Sequence, residues 1–178
     1  MCVIHSRFSE VRRYYKDHGN VEDLAAIPFD HAHPNIDNEN KIAIFHNGFI
    51  SNFLELKTEI KSRQGKLHCG SDITKMTDSQ LITSLVAEQF HSGVSLKDAL
   101  ADVVGKKLMG TYIVAAMELA NPKNLIFIKN SGDFSLCLSK AGDEVILSSE
   151  LSLFKDNAIK QKFNHGVPIP NNHIVEVK

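Results

Sequence analysis

From position 109 onward the sequence is a succession of strand-like runs, "GTYIVAAMEL", "NLIFIKN", "FSLCLSK" and "DEVILSS", and this constrains the fold more than any other feature. The breaks between them, "ANPKN", "SGD" and "AGD", are short and rich in turn residues, which suits antiparallel neighbours. The first two runs are apolar at consecutive positions, the pattern of strands covered on both faces. In "FSLCLSK" the alternation of Phe134, Leu136 and Leu138 with small polar residues predicts that these three point inward, with Cys137 on the polar face. Helices on one side and a second sheet on the other would meet the demand for cover. The expected class is α+β, with largely antiparallel sheets and helices packed on them.

The helices are legible upstream. "TDSQLITSLVAEQF" opens with Thr77 three residues before Gln80, a capping box in which each side chain satisfies an orphan amide of the first turn. "SLKDALADVVGKKL" repeats the device with Ser95 and Asp98, burying Leu96, Ala99, Leu100, Val103 and Val104. The two helices are expected to lie side by side. Further back, "KIAIFHNGFISNFLELKTEI" reads as a strand over 41–46, a sharp Asn47-Gly48 turn, and a helix presenting Ile50, Phe53, Leu54 and Ile60. Positions 9–40, with Pro28, Pro34 and the polar run "NIDNEN", read as a long, partly helical surface excursion. "CVIHSRF" reads as an opening strand, "LSLFKD" as a short helical piece and "HIVEVK" as a last strand.

Composition narrows the function classes. A chain of 178 residues, 43% hydrophobic and 23% charged, can bury a real core and is expected to form one domain over 1–178. Its 20 basic and 21 acidic residues nearly cancel, with no basic stripe interleaved with aromatics, so neither nucleic acid nor an anionic membrane is an expected partner. No apolar run approaches the roughly 18 to 20 residues of a membrane-spanning helix, and the N-terminus lacks a secretory pattern, so the expected compartment is the cytoplasm. Cys2, Cys69 and Cys137 form no paired motif, which argues against a disulfide framework. His31, His33 and His46 lack a fourth partner at metal-ligand spacing, so no metal is expected.

Three segments in order carry a resemblance: "HSRFSE" at 5–10, "HAHPN" with "IFHNGFISNF" across 31–53, and "TDSQLI" at 77–82. They resemble the signatures of the class II glutamine amidotransferases, which are N-terminal-nucleophile hydrolases. Within that class they are most similar to the glutaminase half of the glutamine:fructose-6-phosphate aminotransferases (glucosamine-6-phosphate synthases). The resemblance implies an αββα sandwich of antiparallel sheets flanked by helices, hydrolysis of L-glutamine to glutamate and ammonia for amino-sugar phosphate synthesis, and no cofactor. It also implies a partner in the sugar-phosphate isomerase half of the same enzyme. On this alignment Arg7 grips the glutamine α-carboxylate, a role suited to a bidentate guanidinium. Phe8 lines the substrate site. Asp78 receives the α-ammonium from the first turn of a helix, where the dipole favours negative charge. Asn47 and Gly48 supply the oxyanion hole.

The nucleophile departs from the pattern. The family attacks with the thiol of an N-terminal cysteine whose α-amine serves as base, several tens of residues before the "HxR" segment. Cys2 would become N-terminal on loss of Met1, yet it stands five residues before Arg7, about 16 Å away along a strand rising roughly 3.3 Å per residue. Cys2 is therefore the one candidate nucleophile and a poorly spaced one, while Cys69 and Cys137 are internal. Glu10 and Val11 occupy the places of a family Thr-His pair. The first strands of the family domain have no counterpart here, and a sandwich without them would offer an unpaired edge prone to homodimerisation. The isolated chain is accordingly expected to show little glutaminase activity. The alternatives are a non-catalytic glutamine-binding or interaction module, or another class II amidotransferase, of the phosphoribosyl-pyrophosphate amidotransferase or asparagine synthetase type.

Overall fold

A computed structural model describes residues 33–62, 66–150, 152 and 155–178. Among these residues five strands form one antiparallel sheet, in the order β1 (Asn35–Ile36), β2 (Ile42–Ile50), β3 (Gly110–Glu118), β4 (Asn121–Lys129) and β8 (Ile174–Val177). A second antiparallel sheet is ordered β6 (Val145–Ser148), β5 (Ser135–Leu138) and β7 (Val167–Pro168). The helices are α1 (Phe53–Ser62), α2 (Asp78–His91), α3 (Leu96–Asp102) and α4 (Asn157–Lys162), with a π-helical turn, Val103–Lys107, leading into β3.

The core lies between the first sheet and the capped helices. Ile42 and Ile44 of β2, Val114 and Ala116 of β3, and Ile126 and Ile128 of β4 project from one face onto Leu81, Leu85, Leu96, Leu100 and Val104. The Thr77 capping box is in place, with Thr77 Oγ1 accepting from Gln80 N while Gln80 Oε1 accepts from the Thr77 amide. At Ser95 only half of the device forms, Ser95 Oγ accepting from Asp98 N and donating to Asp98 Oδ2 in place of the Ser95 amide. Gln89 Nε2 donates to Asp102 Oδ2 at 2.7 Å, so α2 and α3 lie side by side as their patterns predict. On the sheet's other face Phe127 meets Phe134, the residue leading into β5, with ring centroids 4.9 Å apart. Leu125 to Lys129 are all buried, so β4 is covered on both faces.

Several expectations change. Asn47 and Gly48 do not turn the chain. They remain in β2, paired with Ile113 and Tyr112, and the bend falls at Ser51 and Asn52. Asn52 holds that bend, donating to the Lys107 carbonyl and accepting from Met109 N, both at 2.9 Å. In α1 the buried residues are Leu56 and Ile60, whereas Leu54 is 73% exposed. In β5 the polar face is the more buried: Ser135 and Cys137 are buried, whereas Phe134 and Leu136 are half-buried and Leu138 is 46% exposed. The inward polar face is satisfied by Cys137 Sγ donating to the Asn164 carbonyl, and by Ser139 Oγ bonding Asp143 Oδ1 at 2.8 Å and the Asp143 and Glu144 amides. The "SGD" break carries the chain from one sheet to the other instead of joining neighbours. "NIDNEN" is no surface run, because Asn35 and Asp37 are buried. The helical piece near the C-terminus is α4, just beyond "LSLFKD".

Candidate functional site

Three anchors of the expected site, Cys2, Arg7 and Phe8, lie outside the described residues, as does His31. The others sit on β2 and at the start of α2. Asn47 is exposed and makes no side-chain hydrogen bond among the described residues. Side chains alternate along a strand, so it leaves the sheet on the face opposite His46, which points towards α2. Gly48 has φ of +140°, and a Cβ there would run into the Thr111 carbonyl of β3. The glycine is therefore required first by the close approach of the neighbouring strand, and the distorted backbone it permits is what surrounds its own amide.

Asp78 opens α2, held by the Thr77 cap. Its Oδ1 accepts from Ser79 N at 2.8 Å, and its Oδ2 lies 4.0 Å from His46 Nδ1. Ser79 is the hub: its Oγ lies 3.0 Å from His46 Nδ1, 2.9 Å from His33 Nε2 and 3.4 Å from Asp78 Oδ1. A hydroxyl has one proton to give, so at least one imidazole donates to it. These contacts tie the N-terminus of α2 to β2 one residue before Asn47. The structure thus brings Asp78 beside His46, the residue before Asn47, through a His-Ser-His link that the sequence reading did not find. His33 and His46 meet on a serine hydroxyl, which is a hydrogen-bonding role. Ser79 carried no signal of its own within "TDSQ".

The internal cysteines are unsuited to nucleophilic attack. Cys69 is buried, and burial together with the Asp37 carboxylate pushes its thiol up to about 12. Burial also raises the Cys137 thiol. The attacking species is the thiolate, which neither residue supplies near neutrality.

Residues 25–156 match a family described as "Glutamine amidotransferase domain". The chain is 28% identical over 166 residues to a glutamine–fructose-6-phosphate aminotransferase (isomerizing) of Methanocaldococcus jannaschii, a match covering 90% of this chain and 13% of that protein. It is 31% identical over 122 residues to the protein of the same name from Aquifex aeolicus, covering 68% of this chain and 19% of that one. The chain thus spans less than a quarter of the length of these relatives. Among solved structures, the glutamine phosphoribosylpyrophosphate amidotransferase of B. subtilis aligns with a TM-score of 0.58 at 19% identity, over 86% of this chain and 33% of that one. That likeness identifies the paired antiparallel sheets as the N-terminal-nucleophile amidotransferase fold. With more than half of its length inside the family match, and with "HNG" and "TDSQ" brought together by the fold, the chain belongs to the glutamine amidotransferase domain family.

Proposed function

We propose that this chain is a glutaminase portion of the glutamine–fructose-6-phosphate aminotransferase type, forming one domain that holds L-glutamine between Arg7 and Asp78 and presents its side-chain amide to Asn47 and Gly48. The observation that supports this reading is the link from His46 through Ser79 to Asp78, which ties the α2 N-terminus to β2 one residue before Asn47. A carboxylate at the head of a helix suits an α-ammonium group. An exposed amide with no competing hydrogen bond among the described residues is a ready donor to a tetrahedral oxyanion. Arg7 and Phe8 complete the proposal from the "HSRF" signature, and Cys2, freed by removal of Met1, is the nucleophile it names. Ammonia released at the site would serve a sugar-phosphate isomerase part of the same enzyme, as the names of the relatives suggest.

A second reading, a glutamine-binding module that does not turn its ligand over, is favoured by the burial of Cys69 and Cys137, which leaves Cys2 as the sole candidate thiol at poor spacing from Arg7. One experiment separates the two: glutaminase turnover of the full chain, with intact mass recorded on the same sample and melting followed with and without glutamine. The catalytic reading expects turnover that disappears in Cys2→Ala and falls by about 10²- to 10³-fold in Asn47→Ala. Glutamine-dependent stabilisation without turnover, lost in Asp78→Ala, establishes the binding module. Turnover or stabilisation that survives unchanged in Asp78→Ala overturns the site assignment itself.

A further inference from the structure

A second cluster lies where the β1–β2 loop, the segment around His68 and the C-terminal end of α2 meet. His68 Nδ1 and His91 Nδ1 face each other at 3.1 Å, and Glu39 Oε1 lies 3.3 Å from the same His91 nitrogen. One donor atom from each of the three residues falls within 4.8 Å of the other two. Tetrahedral zinc holds nitrogen and oxygen ligands at about 2.0–2.2 Å, so neighbouring ligand atoms sit roughly 3.3–3.6 Å apart, the edge of the tetrahedron. The spacings here approach that edge.

Charge and tautomer strengthen the case. The His91 side chain is 9% exposed, and its Nε2 lies 3.0 Å from Oδ2 of the buried Asp37, with the N–H direction off the line of a hydrogen bond. With Nε2–H turned towards this carboxylate, the Nδ1 lone pair would face Glu39 Oε1 and His68 Nδ1, an arrangement that can take a cation between them. A carboxylate behind the far nitrogen of an imidazole is also the usual support of a histidine ligand. Asp37 is rigid, accepting from the amides of Glu39, Lys41 and Ile42 at 3.1, 2.6 and 2.7 Å. His68 is fixed by its own amide donating to Ser84 Oγ at 2.9 Å, and its carbonyl accepts from Asn38 N at 2.7 Å. Lys41 and Lys66 pair with the Glu39 carboxylate. Their ammonium groups lie at 2.9 and 3.1 Å from it on largely exposed, flexible stems, free to yield to a metal.

We propose that Glu39, His68 and His91 form a binding site for a divalent transition metal of the zinc type, with Asp37 positioning His91 and one coordination position left to water. Imidazole with carboxylate is a donor set suited to zinc. Bound there, the ion would staple the β1–β2 loop and the His68 segment to the end of α2. Among the described residues, Glu39, His68 and His91 make no hydrogen bond or ion pair with Asn47, Gly48 or Asp78.

The test is equilibrium dialysis of the full chain against Zn2+, with a chromophoric chelator as competitor, repeated with Co2+ to read coordination from its visible spectrum. The parent is expected to bind one equivalent of Zn2+ and to melt at higher temperature with it. Outer-sphere losses cost about 10- to 100-fold in affinity, so His68→Asn, His91→Asn and Glu39→Gln are each expected to cost at least about tenfold. His173→Asn, whose parent imidazole bonds the nearby Asn171 carbonyl, is expected to leave binding unchanged. Because His68 is only partly buried, His68→Asn keeps the test valid if His91→Asn fails to fold, and metal-free melting of each variant checks this. A parent that binds no Zn2+, or a folded His68→Asn that binds it as tightly as the parent, overturns the proposal.

Discussion

Gly48 and Asn47 show how much one residue of β2 must satisfy. At φ of +140° Gly48 occupies backbone that side chains strongly disfavour, with the Thr111 carbonyl where a Cβ would stand. Gly48→Ala is therefore expected to destabilise the protein by more than about 1 kcal/mol, read as a lower urea midpoint. The "NG" pair was visible in the sequence as a special backbone position. That it lies within a strand instead of ending one was not visible, because a turn and a close cross-strand approach both call for glycine. Asp78 was readable for a similar reason: an acid just inside a capped helix start is a local pattern. Its partners His46 and Ser79 are 33 residues apart and carried no common signal.

At the scale of elements, α2 rests on local chemistry. Gln80 N donates to Thr77 Oγ1 at 3.2 Å, and Thr77 N donates to Gln80 Oε1 at 3.0 Å. Thr77→Ala removes one half of that exchange and is expected to cost about 1 kcal/mol, measured by thermal or urea unfolding. If α2 positions Asp78 for the α-ammonium, the same variant also weakens glutamine-dependent stabilisation. β5 shows the opposite case. Alternation correctly divided its residues into two faces, and Phe134 does pack on the first sheet, but the polar face is the more deeply buried. Ser135, Cys137 and Ser139 turn inward because the Asn164 carbonyl, Asp143 and the loop amides satisfy the buried Cys137 and Ser139 side chains. Apolar Leu138 is left half exposed. Hydrophobic periodicity cannot register hydrogen-bond partners that arrive from later in the chain.

Across the whole molecule, stability is concentrated between the first sheet and helices α2 and α3. Leu100 is fully buried there, so Leu100→Ala is expected to cost about 2–5 kcal/mol. Leu54→Ala, on a side chain 73% exposed, is expected to stay within about 0.5 kcal/mol; comparison of the two urea midpoints tests this placement of the core. The sequence by itself determined the element types, the caps, the antiparallel class and the family, because each is written in short-range spacing or in an ordered set of motifs. Only the tertiary structure decided which strands share a sheet, which face of β5 is buried, and that His33 and His46 meet on Ser79. It alone brought Glu39, His68 and His91 to one point. Those outcomes depend on contacts between residues tens of positions apart, and their geometry is set by how the sheets and helices pack together.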